Sequence, residues 1–237
     1  SSSVNGDGTP SSVSMTFSEA IDAIGMGPFQ KRLFIMCGMA WLIDAIEVLV
    51  IAFAIDDIAR TFHLGSFSKG LVGSASFFGM LFGAIFWSVY ADRNGRRGAF
   101  LHSLGFVFVS GLASAFAPSF GILLVFRALV GFGVGGNIPV TNALMTEFLP
   151  TKDRAKVLCH IGGVFWGLGL MAASLLGLLL THRLRPGQEE TMWRWFLGLS
   201  AVPAIMVCFA YRLLPESPRY LSVVGRHDDA AKVRGVD

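Results

Sequence analysis

The chain has 237 residues, of which 53% are hydrophobic and 15% charged, with a net charge of +3 and 21 phenylalanines. Soluble domains carry roughly 45–50% apolar and about 25% charged residues, so this shortage of charge excludes an ordinary soluble enzyme, a disordered chain and a disulfide scaffold. The small net charge gives no reason to expect nucleic acid as a partner. The cysteines, Cys37, Cys159 and Cys208, fall in apolar runs without metal-ligand spacing and read as small core residues.

Taken in chain order, residues 1–15 are rich in Ser, Gly, Asn and Pro and read as a disordered tail. Thr16-Phe-Ser-Glu19 has the form of a capping box, after which Phe17, Ala20, Ile21 and Ile24 share one helical face and Gly25 ends the turn. Residues 16–32 therefore read as an amphipathic lead-in lying on the membrane surface, or as a simple ordered leader. No secretory signal is expected ahead of them. The first long apolar run starts at Leu33 and is too long for a signal-peptide core.

Apolar runs lie near 33–55, 70–90, 98–117, 119–145, 157–181 and 193–214, each bounded by polar residues. About 20 helical residues cross the ~30 Å hydrocarbon core, and the runs lack the alternation of a membrane barrel. The expected fold is all-α: a polytopic membrane protein with six transmembrane helices within 33–214. Of the 19 Lys and Arg residues, 13 fall on the side of the two termini. Lys31, Arg32, Arg93, Arg96, Arg97, Lys152, Arg154 and Lys156 are among them. By the positive-inside rule both termini are then cytoplasmic.

Three charged residues lie well inside runs: Asp44, Glu47 and Arg127. A charge at mid-bilayer costs about 2.5–3.5 kcal/mol even on the lenient insertion scale, so such groups face a cavity or one another. Glu47 is eight residues from Ile55, so about 12 Å deep, and Arg127 lies at about 10–12 Å in the fourth run. Asp44 is one turn further in on nearly the same face. Two acids and one guanidinium do not balance, and the surplus acid is expected to bind a proton when water reaches it. That is the chemistry of a proton-coupled carrier; the alternative is a purely structural ion pair.

The fourth run contains G-x-G-x-x-G at Gly131, Gly133 and Gly136. No strand precedes it and no βαβ unit follows, so a dinucleotide site is excluded. Gly131 with Gly135, Gly79 with Gly83 and Gly163 with Gly167 read instead as small-xxx-small helix contacts. No G-x-S-x-G occurs, and His102 and His160 stand alone on apolar runs, as packing residues would. Nothing points to an enzyme, a cofactor or a metal.

Asp92-Arg93-Asn94-Gly95-Arg96-Arg97 joins the second and third runs. It resembles the loop signature of the major facilitator superfamily, G-x-x-x-D-R-x-G-R-R, with Ser88 in place of the first glycine. Arg127 with the glycines that follow, Glu147 with Arg154, and Pro215-Glu216-Ser217-Pro218-Arg219 resemble the sugar-porter and organic-ion branch. Trp41-Leu-Ile-Asp44-Ala-Ile-Glu47 and Glu147-Phe-Leu-Pro150 are similar to the synaptic-vesicle-protein-like subgroup, which includes carriers of niacin and other organic acids.

The resemblance implies the N-terminal six-span half of a twelve-span transporter, with 215–237 opening the central cytoplasmic linker. It implies that Asp92, Arg96, Glu147, Arg154, Glu216 and Arg219 form the salt bridges of a cytoplasmic gate, with Arg93, Gly95 and Arg97 in the same motif. It also implies a proton and substrate pathway at Asp44, Glu47, Arg127 and Asn137. Those four are expected to lie exposed on the inner face of spans one, two, four and five when the other half is missing. A truncated chain is favoured over pairing with a second polypeptide or a six-span homodimer. The expected function is proton-coupled movement of a small organic solute across a plasma or vesicle membrane by alternating access. The rival is a non-transporting regulatory or trafficking protein of the same fold.

Overall fold

The structure, a computed structural model, describes residues 22, 25–183 and 189–211. Its elements are α1 (Pro28–Thr61), α2 (Ser66–Asn94), α3 (Arg96–Ala115), α4 (Phe120–Phe148), α5 and α6 (Glu189–Tyr211). Helix α5 is composite: Arg154–His160, a π-helical turn Ile161–Phe165, then Trp166–Arg183. All six are long and apolar enough to cross a membrane. The 34 residues of α1 extend about 51 Å, so its ends project beyond the hydrocarbon into the headgroup layers. The lead-in expected at 16–32 and the linker expected from 215 lie largely outside the described residues.

Local chemistry sets the helix ends. Pro28 opens α1, where its missing N–H costs nothing, and Gly27 donates its N–H to Gln30 Oε1 at 3.0 Å. Gly95 alone separates α2 from α3, with φ +95°. A side chain at that position would be strained, which is why Asn-Gly reverses the chain in a single residue.

The helices form two triplets that exchange their middle members. Helix α2 lies along α4 and α5 along α1, while α3 rests on α4 as α6 rests on α1, and α3 meets α6. This is the contact pattern of a three-plus-three repeat. In α1, 56% of the residues in the apolar stretch are buried, against 22% in α2 and in α5. Phe78, Phe82, Ile85 and Val89 of α2 and Met171, Leu175 and Leu178 of α5 form apolar exteriors.

The α2–α4 seam is made of glycine. A Cβ on Gly79 or Gly83 would fall on the Ala128 or Phe132 carbonyl, and one on Gly131 or Gly135 on the Ser76 or Met80 carbonyl. The two backbones therefore touch, and Trp87 Nε1 donates to the Phe132 carbonyl at 3.0 Å. The reading does not extend to Gly163 and Gly167, whose Cβ positions are open. Helix α5 meets α1 through Gly169, against the Leu42 carbonyl, and through the Phe165 ring set against Gly38. Spacing alone cannot tell a glycine that faces a neighbour from one that does not.

Two other expectations are corrected. Cys37 is buried, but Cys159 is exposed. His102 and His160 are exposed too: His102 Nδ1 lies 3.0 Å from Tyr90 Oη, and His160 Nδ1–H donates to the Lys156 carbonyl at 2.7 Å. Both sit near helix ends, where a polar tip reaches the interface.

Candidate functional site

The intramembrane polar residues form a column along α1 and α4, in two levels. At the first, Arg127 Nη1 lies 3.3 Å from Glu47 Oε2. Two hydroxyls brace the pair: Arg127 Nη2 donates to Ser114 Oγ at 2.5 Å, and Ser200 Oγ donates to Glu47 Oε1 at 2.8 Å, while Arg127 Nε has no partner among the described residues. Glu47 is 3% exposed and Arg127 is fully buried. Full burial makes desolvation of both ions costly, and the hydroxyls add hydrogen bonds that offset part of it.

At the second level no cation stands among the described residues. Asn137 Nδ2 donates to Asp44 Oδ1 at 2.7 Å, and Asn137 Oδ1 accepts from Ser103 Oγ at 2.7 Å. The Asn137 carbonyl accepts from Thr141 Oγ1 at 2.6 Å, and Thr141 Oγ1 accepts from Trp41 Nε1 at 3.1 Å. Asp44 Oδ2, equally buried, has no hydrogen-bond partner. An orphaned buried acceptor is uncommon and calls for a physical account.

The column overturns one expectation. Asp44, Glu47, Arg127 and Asn137 are all buried inside the six helices rather than exposed on an inner face of α1, α2, α4 and α5. The reason lies in Ser103 and Ser114 of α3 and Ser200 of α6, which supply the missing bonds from the opposite side. No motif marked these three serines; a lone Ser in an apolar run is the only signal they give. A cavity of about 40 Å³ adjoins Glu47, between Ile51 of α1, Ser76 and Met80 of α2 and Val134 of α4. That is room for a water molecule or two.

A second constellation occupies the end of the bundle where α2 turns into α3. Arg96 Nε lies 2.7 Å from Glu147 Oε1, and Arg96 Nη2 lies 3.3 Å from Asp92 Oδ1. Arg96 thus ties α3 to the end of α4 and to the last turn of α2. Arg154 Nη2 donates to the Leu149 carbonyl at 3.2 Å, bracing the turn between α4 and α5. Arg93 is exposed and Arg97 half-buried on the same turn. Glu216 and Arg219 lie outside the described residues. Among the described residues, no group of three or more His, Cys, Asp or Glu side chains converges as a metal site would.

Residues 31–235 match the family described as "Sugar (and other) transporter". The chain belongs to this transporter family. Its fold is a sugar-porter-like half of the major facilitator superfamily, all-helical and membrane-integral, and such proteins are not enzymes. Over 92% of its length it is 34% identical to the organic cation/carnitine transporter 7 of Arabidopsis thaliana, covering 42% of that protein. Over 90% it is 36% identical to the synaptic vesicle 2-related protein of Xenopus laevis, covering 37% of it.

Among solved structures, the xylose transporter XylE of E. coli, in a partially occluded inward-open conformation, superposes with a TM-score of 0.81. The match covers 88% of this chain and 53% of that one at 18% identity, which speaks for fold alone. The chain thus spans about two fifths of the curated relatives and about half of the solved transporter.

Proposed function

We propose that this chain is a six-helix half of a secondary active transporter. It moves a small organic solute, sugar-like or an organic ion, together with protons and by alternating access. The similarity to an organic cation/carnitine transporter and to the fold of a xylose transporter supports the solute class. The other half of the solute site is supplied by a second six-span unit, since carrier sites form between two such bundles. The excess of Lys and Arg beside Gly95 and Thr151 favours a cytoplasmic location for that end and for both termini. The bonds of Arg96 to Asp92 and Glu147 suit a gate at the same end.

The observation that carries the proton reading is the contrast between the two buried acids. Glu47 has a guanidinium beside it, whereas Asp44 has an amide and an orphaned oxygen. A carboxylic acid that keeps its proton needs no cation, and its O–H can donate when a partner arrives. Asp44 is accordingly the proton carrier in this reading. The pair Glu47–Arg127 holds the bundle's charge balance and borders the water-sized cavity.

The test is uptake by the intact protein in proteoliposomes with an imposed pH gradient. Asp44→Asn is expected to abolish uphill accumulation of solute while leaving solute exchange in place. If Asp44→Asn and Glu47→Gln both leave coupled accumulation intact, the proton-site reading fails. If no organic ion or sugar is moved by the wild type at all, the non-transporting alternative takes its place.

A further inference from the structure

We propose that the crevice between the first turns of α1 and α5 binds an anionic phospholipid. Two short stripes face each other there. On α1, Lys31, Phe34 and Ile35 are spaced i, i+3, i+4, and on α5 Lys156 and His160 stand one turn apart with Val157 beside Lys156. Together they line an open crevice of about 550 Å³. Its mouth carries two exposed ammonium groups, and its floor is apolar, with Ile35 54% exposed.

The chemistry selects a ligand that is anionic at one end and greasy at the other. Among the described lining residues Asp153 is the one acid, so the two lysines leave these residues net positive. His160 spends its Nδ1–H on the Lys156 carbonyl, and the two ammonium groups offer donors for an anion. A free anion would use only the mouth and leave Phe34, Ile35 and Val157 wet. A lipid uses both, with its phosphate at Lys31 and Lys156 and its first acyl carbons along Ile35.

The position fits as well. Both stripes begin membrane-spanning helices, so the mouth sits at headgroup depth and the floor at the start of the hydrocarbon. Basic crevices between spans at that depth are where acidic headgroups bind. This inference is independent of the proton reading and concerns none of its residues.

The test is native mass spectrometry of the intact protein titrated with phosphatidylglycerol or with phosphatidylcholine. Phosphatidylglycerol is expected to bind about 25-fold more tightly. At about fivefold per lysine near a membrane surface, Lys31→Gln with Lys156→Gln is expected to erase about 25-fold of that preference. Lys152→Gln, at an exposed position outside the crevice, is expected to leave it unchanged. Val157→Trp, which fills the floor without touching the charges, is expected to weaken binding of the acidic lipid. Equal binding of the two lipids overturns the proposal. So does an equal loss in Lys152→Gln, which indicates diffuse surface charge, and so does full displacement by millimolar inorganic phosphate, which indicates a free-anion site.

Discussion

Helix α4 holds its neighbours in two different ways on two of its faces. Toward α2 it offers Gly131 and Gly135, which let backbone lie against backbone. Toward α1 and α3 it offers Arg127 and Asn137, which are held by acids and hydroxyls. Inside a bilayer the hydrophobic effect does not distinguish a helix neighbour from a lipid tail, so close packing and polar bonds must do the holding. The glycine face needs no partner chemistry, only proximity, and fails by steric collision. The polar face fails differently: removing one member strands another in a medium that cannot solvate it.

The largest effect is expected on the polar face. Arg127→Met removes the cation and leaves the Glu47 carboxylate buried, where breaking one partner of a buried pair costs about 3–5 kcal/mol. Combining it with Glu47→Gln removes the stranded charge, and most of that loss is expected to return. Unfolding free energies in mixed micelles for the wild type, both single variants and the double variant close the cycle. A cost below about 1 kcal/mol for Arg127→Met would mean that the Ser200 hydroxyl on Glu47, not the guanidinium, holds this level.

On the glycine face, Gly131→Val drives two methyl groups into the Ser76 carbonyl, which cannot rotate aside as a side chain can. Overpacking of this kind costs about 1–3 kcal/mol, and here the two helices must also part, breaking the bond from Trp87 to the Phe132 carbonyl. The check is the same unfolding measurement together with the solvent accessibility of Trp87. If Trp87 stays buried and stability is unchanged, the seam is looser than its geometry states.

Much of this contrast could be read from the sequence, but unevenly. The six helices followed from the lengths of their apolar runs, whereas the break of a single residue at Gly95 is a finding of the structure. Gly79, Gly83, Gly131 and Gly135 announced a seam because both partners carry the same four-residue spacing. That spacing also admitted Gly163 and Gly167, which face open space, because a period fixes spacing along a helix and not the direction the helix is turned. Depth arithmetic put Glu47 and Arg127 at one level, and they lie 3.3 Å apart. It could not find Ser103, Ser114 and Ser200, since a hydroxyl in an apolar run bonds its own helix backbone as readily as a neighbour. Without those serines the four polar residues had nowhere to point but an exposed inner face, and that expectation was wrong for this reason.

The second level of the polar face is expected to give a smaller loss than the first. Asn137→Ala leaves Asp44 Oδ1 without its donor, while Ser103 Oγ keeps the Phe100 carbonyl as acceptor at 2.9 Å, so the cost is about 1–3 kcal/mol for one buried unsatisfied group. The loss is smaller than for Arg127→Met if Asp44 holds a proton, because a neutral acid strands no charge. Asp44→Asn in the Asn137→Ala background separates the cases: a stranded carboxylate would be relieved by it, whereas a protonated acid would gain little.

The smallest effect runs in the opposite direction and sets the limit of the glycine argument. Gly167 sits in α5 with nothing near its Cβ position, so Gly167→Ala meets no neighbour. What remains is the backbone: in a helix interior Ala is favoured over Gly by about 0.8–1.0 kcal/mol, because the unfolded chain gives up less freedom. Gly167→Ala is therefore expected to stabilise the protein slightly, while Gly131→Ala, identical in chemistry, destabilises it. The sign difference between the two is the measurement. If both variants destabilise, α5 carries a close contact at Gly167 on the face that α2 and α5 leave open, and a second bundle docking there is the physical candidate for it.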